Sequence, residues 1–529
     1  MEYTSFIYII FILICMAFYY ALPKKCQWAV LLVASLAFYA VFSQVLTVFI
    51  LLSTLLVYLG ARKITSLDAD VKKAKKQLEK PEFKQFKAKT AKKKNGVISV
   101  VAVLDIGILA VLKYCNFFGS IINGVASLFK AGQVIPVFAL ILPLGISYYT
   151  LMSVSYITDV YRGKYKAEKN YFRLLLFVSY FPHIMEGPFD RFDALDEQFR
   201  QEHKFSYEQM KNGALLIMFG FFKKLVIADR AGVIVSGLFE KSDSLGGTAI
   251  FLAVLLYTLQ LYADFSGCIE IVSGTSELFG IKLAENFRQP FFSRSVNEFW
   301  RRWHITLGTF LKDYVFYSVA TSSGFKRVNA FAKKHFKSDN LKRVVPAAYA
   351  LFFVWFCNGI WHGASWKYIA YGLYYYILMM LGEFFAPIFD KAFAKSKISR
   401  ESKAFHAFQI ARTFILVNIG MLIFRSETLK ESAAMLIKIL TSVNFAQLVN
   451  GGIAVEGISY KDYVVLALGV CVLLVIGLLK EKGHDIRSEL DGKPLALRWT
   501  VYLVLIFATI ILGVYGGNFE NAGMIYAEF

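Results

Sequence analysis

Two histidines stand where a lipid-facing chain has little use for a titratable group. They are His304 in Glu298-Phe-Trp-Arg-Arg-Trp-His304 and His362 in Asn358-Gly-Ile-Trp-His-Gly363. Each follows a tryptophan, Trp303 and Trp361, and the two lie on consecutive hydrophobic stretches. An ionisable side chain at membrane depth costs about 3 kcal/mol on insertion scales and roughly 10 or more in simulations, so it is a functional-site hypothesis by default. A neutral imidazole, with an unperturbed pKa near 6.5, is suited to taking a proton from a hydroxyl. A lone buried histidine is more often a satisfied structural group than a catalyst. Two Trp-His pairs, each with small or polar neighbours, raise the expectation of chemistry.

The elements that must position this pair are membrane helices. Of the 529 residues, 57% are hydrophobic and 18% charged, against about 25% charged in soluble domains. Apolar runs fall near residues 5–22, 28–43, 44–61, 97–117, 134–158, 171–185, 211–238, 248–280, 343–362, 366–388, 405–424, 463–480 and 498–516. Many reach the roughly 20 residues a helix needs to cross a bilayer, and the shorter ones are candidates for re-entrant segments. The runs are continuous and lack the alternation of an outer-membrane barrel. An all-α polytopic membrane protein is expected, with re-entrant or interfacial amphipathic helices.

The net charge of +21 does not point to nucleic acid, because its densest block, residues 62–95, reads as a cytoplasmic loop that fixes orientation and meets the lipid bilayer surface. Glu2 before the first apolar run and Lys24 and Lys25 after it place the N-terminus outside, with a first membrane helix in place of a cleavable signal. The six cysteines are scattered without a CxxC pair, so neither a metal site nor a disulfide framework is expected.

From Trp300 to Ala320 the charge is too high for a lipid-embedded span. At about 100° per residue, Trp300, Trp303, Leu307, Phe310, Leu311 and Tyr314 share one helix face, with His304 at its edge. An amphipathic helix at the cytoplasmic boundary is the reading. Asn358, His362 and Ser365 follow i, i+4, i+7 spacing, so Asn358 is expected to hydrogen-bond the His362 imidazole and choose its tautomer. Asp264, inside an apolar run, needs a partner, and a buried salt bridge or hydroxyl contact is slightly preferred over catalysis.

The run Glu285-Asn-Phe-Arg-Gln-Pro-Phe-Phe-Ser-Arg-Ser-Val-Asn-Glu-Phe-Trp-Arg-Arg-Trp-His-Ile-Thr-Leu307, with Asp313-Tyr and Trp361-His-Gly-Ala, resembles the membrane-bound O-acyltransferases. Within them it is most similar to the alginate O-acetylation branch, with the teichoic-acid D-alanylation branch a close relative. Leu142-Pro-Leu-Gly, Tyr180-Phe-Pro-His-Ile-Met-Glu-Gly-Pro188, Lys223-Lys-Leu-Val and Tyr262-Ala-Asp-Phe-Ser-Gly267 extend the resemblance over about residues 140–425. The chain departs from the pattern at Ala263, Cys268, His183 and Tyr375, which bears on acceptor identity.

The resemblance implies a helical core of this family type over 134–425. N-terminal spans at 1–133 precede it, and a C-terminal segment of an amphipathic piece and further spans at 426–529 follows. It implies acyl transfer from a cytoplasmic thioester toward an exported polysaccharide or an extracytoplasmic SGNH-type transferase, in a multi-pass bacterial cell-membrane protein. Acetyl-CoA is the expected co-substrate, with an acyl-carrier protein and D-alanyl transfer as the runner-up, and no bound cofactor or metal. His362 is assigned as base and His304 as partner, with the reverse open. Asn358, Trp361, Trp303, Asp264 and Asn286 support them, and Arg301 and Arg302 meet donor phosphates. A polysaccharide or lipid transporter using the histidines as a proton relay is the alternative of another class.

Overall fold

The computed structural model describes residues 3–130, 132–395 and 399–515; Glu2 and the chain beyond 515 lie outside the described residues. The fold is all-α and polytopic. Among the described residues the only extended pairing is an isolated bridge between Phe287 and Trp303. Eight helical stretches among them are long and apolar enough to cross a membrane. Six match expected runs: Gly247–Leu278, Asp339–His362, Trp366–Lys395, Lys403–Arg425, Tyr460–Glu481 and Leu495–Leu512. Large side chains such as Val464, Leu468 and Val475 are exposed on them, as helices solvated by lipid require.

The chain forms two compact units, residues 1–214 with 272–284, and residues 215–271 with 285–529. In the first, the basic block is not a loop. It forms the facing ends of two long helices, Thr47–Gln77 and Lys80–Leu128, joined at Leu78 and Glu79. Lysine, alanine and glutamine are good helix formers, so charge that excludes the segment from lipid does not end the helix. Lys94 donates to Asp68 at 2.7 Å across the pair.

The expected run at 171–185 helixes only over Tyr171–Ser179. Beyond it, Tyr180, Phe181, His183 and Ile184 are buried in irregular backbone. Non-helical chain is tolerated at such depth only when protein satisfies it. Here the Ser35 hydroxyl accepts from Phe181 N–H and the Tyr3 hydroxyl donates to Phe181 O. His183 Nδ1 lies 3.8 Å from Asp190 Oδ2.

In the second unit, helical chain containing Lys223 and Lys224 widens to a π-helix over Phe222–Ala228. It crosses the Gly247–Leu278 helix so closely that a Cβ on Gly220 would press on the carbonyl of Gly267. That approach lets Lys224 reach Asp264 at 2.6 Å and Asp229 at 2.8 Å, while Lys223 reaches Glu270 at 2.7 Å. Asp264 therefore takes the salt-bridge role. A second close crossing joins Asp339–His362 to Trp366–Lys395, where a Cβ on Gly372 would collide with the Trp355 carbonyl. The expected amphipathic piece near Leu429 is the helix Leu429–Thr441.

Candidate active site

The single amphipathic helix expected across His304 is broken at that residue. Ser295 caps a helix over Val296–Arg302, its hydroxyl accepting from Glu298 N–H at 3.1 Å. Trp303 is then extended and His304 left-handed, at φ 48° and ψ 50°, before a new helix begins at Ile305. A non-glycine residue there is strained by roughly 1–2 kcal/mol. The strain is held by a short antiparallel clasp from residues 286–288. Arg288 N–H donates to Arg302 O at 2.9 Å and Ile305 N–H to Asn286 O at 3.0 Å. Asn286 Oδ1 accepts from Thr306 N–H at 3.2 Å and from the Thr306 hydroxyl at 2.9 Å. At about 0.5–1.5 kcal/mol each, these bonds together outweigh the strain.

The clasp also fixes a proton. A backbone N–H can only donate, so the Asn286 atom facing Thr306 is oxygen. That oxygen lies 3.2 Å from His304 Nδ1, which must therefore be the protonated nitrogen. The lone pair of the neutral ring is left on Nε2, the tautomer a general base needs. Burial pushes the His304 pKa down to about 3, so the ring is neutral at physiological pH.

Burial does not separate the two histidines: His304 is 3% exposed and His362 2%. The Trp361 ring touches both, with centroid distances of 5.7 Å to His304 and 4.9 Å to His362. Phe265 meets His304 edge-on, and Tyr371 and Phe424 meet His362 likewise. Trp303 is buried against Phe287 and Phe299 and buttresses the bend.

A cavity of about 760 Å³ opens beside His304. Its walls include Trp300, Arg301, His304, Lys312 and Asn358, with Leu307, Leu351 and Val354 among the apolar ones; His362 is not among them.

Three expectations change. The Asp339–His362 helix ends at His362, so Ser365 leaves the proposed stripe and its carbonyl instead accepts from Tyr368 N–H in the next helix. Asn358 makes no hydrogen bond to His362, because it turns to the cavity while His362 packs among aromatic rings. Arg302 is held by Glu298 and Glu481, each at 2.6 Å, whereas Arg301 is exposed and lines the cavity, as does Lys312. Trp300, Lys312 and Thr306 were not singled out as site residues. Thr306 carried a signal, a hydroxyl two residues after the histidine, whereas Trp300 read as part of an apolar face. Among the described residues, no group of three or more His, Cys, Asp or Glu side chains is placed to hold a metal ion.

Long lipid-compatible helices and a cavity lined by a buried imidazole define a multi-pass membrane protein with a built site. Residues 168–417 match the membrane-bound O-acyltransferase family, and the chain belongs to it. It is 35% identical over 333 residues to the probable alginate O-acetylase AlgI of Pseudomonas syringae, covering 63% of this chain and 58% of that protein. It is 28% identical over 430 residues to the peptidoglycan O-acetyltransferase of Helicobacter pylori, covering 73% and 75%. It is 31% identical over 289 residues to the teichoic acid D-alanyltransferase of Bacillus subtilis, covering 53% and 68%. The aligned region thus spans a little under three-fifths of the alginate relative's length.

Proposed function

We propose that this protein is an O-acyltransferase that moves an acyl group, acetyl first, from a cytoplasmic thioester toward hydroxyls of an exported polysaccharide or a partner transferase. The observation that carries the reading is the pair of buried imidazoles in contact with one indole, Trp361, beside a cavity whose rim bears Arg301 and Lys312. The names of the relatives, two O-acetylases and a D-alanyltransferase, favour acetyl-CoA as donor and keep carrier-borne D-alanine as the second choice.

The acceptor hydroxyl gives its proton to an imidazole as its oxygen attacks the thioester carbonyl, and the imidazolium returns that proton to the leaving sulfur. His362 is the base, with His304 orienting the reactants through the shared indole. A second reading reverses them and has an observation of its own: His304 lines the cavity and keeps its Nε2 lone pair. Arg301 meets donor phosphate.

The test is acylation of envelope polymer in cells expressing His362→Ala or His304→Ala at wild-type levels. Loss of about 10²–10⁴ in rate is expected for the base, and less for the partner. Undiminished acylation in both would overturn the proposal, and polymer carrying D-alanine in place of acetyl would select the second donor.

A further inference from the structure

The cavity wall holds two polar groups that the rest of the protein leaves without partners. Asn358 is 5% exposed, and the buried oxygen of its amide, which a flip exchanges for the NH2, has no hydrogen-bond partner among the described residues. Trp300 presents a buried indole Nε1–H in the same condition, although its ring packs on Trp355 and Tyr375. Both line the cavity that His304 lines. A buried polar group without a partner costs about 1–3 kcal/mol, so two on one wall mark a place kept for a ligand.

The polarity of that ligand follows from the tautomer. His304 commits its only N–H to Asn286, so toward the cavity it offers an acceptor and no donor. Leu307, Leu351 and Val354 on the surrounding wall offer neither, and the charged donors of the cavity, Arg301 and Lys312, are exposed to solvent. A carbonyl oxygen entering this space needs N–H donors, and Trp300 and the Asn358 amide supply them.

We infer that Trp300 and Asn358 grip the thioester carbonyl of the acyl donor and hold its oxygen as negative charge develops there. The inference rests on the acyl-transfer reading. As the acceptor oxygen bonds to the carbonyl carbon, its proton passes to His304, the imidazole of this cavity and the base of the second reading above, and the π pair moves onto the carbonyl oxygen. Trp300 Nε1–H and Asn358 Nδ2–H donate to that oxygen. Collapse re-forms the carbonyl and breaks the C–S bond, and the imidazolium protonates the departing thiolate. Donors aimed at a developing oxyanion in a low-dielectric site are each worth about 10²–10³ in rate.

The pantetheine arm is common to coenzyme A and a carrier protein, so the probe is carried on both. One probe is a ketone with a methylene in place of the thioester sulfur; the other is the S-ethyl thioether, which lacks the carbonyl. The full-length protein in detergent should bind the ketone about tenfold more tightly, on whichever carrier it accepts. Trp300→Phe and Asn358→Leu should each lose most of that preference and lower kcat about 10²-fold with KM little changed. Equal binding of ketone and thioether by the wild type overturns the inference, and so do variants that lose thermal stability yet keep the preference. Binding of neither probe on either carrier overturns the acyl-transfer reading itself, and the inference with it.

Discussion

The second unit buries polar groups in two opposite ways. Where the π-helix crosses the Gly247–Leu278 helix, each charge meets its opposite: Lys224 with Asp264 and Asp229, Lys223 with Glu270. At the cavity beside His304, the amide oxygen of Asn358 and the indole N–H of Trp300 are buried without any such partner. Both regions hold the acids, amides and imidazoles that a sequence reading flags as chemistry. Charge separates them. At the crossing each ionised group is held by its opposite, even though Glu270 Oε2 has no hydrogen-bond partner, whereas the neutral groups of the cavity wall have no such hold and keep capacity for a molecule that comes and goes.

The sharpest way to break this comparison is to remove Lys224. Lys224→Met leaves Asp264 and Asp229 buried without their shared cation, and losing one partner of a buried pair costs about 3–5 kcal/mol. The variant should unfold at markedly lower temperature in detergent, and adding Asp264→Leu should recover part of the loss. Asn358→Leu, measured the same way, should shift stability by less than about 1 kcal/mol, because it removes no internal bond. A Lys224→Met protein as stable as wild type would erase the distinction.

A smaller effect tests the clasp around His304. Asn286→Ala strips an acceptor from Thr306 N–H, the Thr306 hydroxyl and His304 Nδ1. Stability should fall by about 2–3 kcal/mol as buried donors lose their partner. Acyl transfer should fall about tenfold or more as the ring loses its fixed tautomer, read as polymer acylation at matched expression. Unchanged transfer with lowered stability would reduce Asn286 to a purely structural clasp.

Much of the fold was legible because lipid imposes one simple rule, long continuous apolar helices, and the runs at 343–362, 366–388, 405–424 and 463–480 obey it. The partner of Asp264 was legible in kind, since a buried carboxylate leaves few options. Helical phase misled in two places. The bend at His304 is imposed by residues 286–288, and no local period records a contact from another segment. Asn358 and His362 have the spacing of a hydrogen-bonded pair, but Asn358 lines the cavity and His362 packs among aromatic rings, with no hydrogen bond between them. The basic block failed for another reason: charge reports depth in the membrane, and lysine-rich chain remains good helix.

The least dramatic test is of pH, and its sign follows from burial. His304 in the folded protein titrates at about 3, below the roughly 6.5 of the unfolded chain. Between those values the unfolded state binds the extra proton, so stability is full above about pH 6.5 and is lost as pH falls toward 3. From pH 8 to pH 5 this residue should cost the wild type on the order of 2 kcal/mol. His304→Gln lacks that proton site and should lose less over the same interval, so the two unfolding temperatures should converge as pH drops. Parallel curves would mean that the imidazole binds its proton equally well folded and unfolded. The ring would then titrate near 6.5, the value suited to taking a hydroxyl proton, and His304 would gain on His362 as the base.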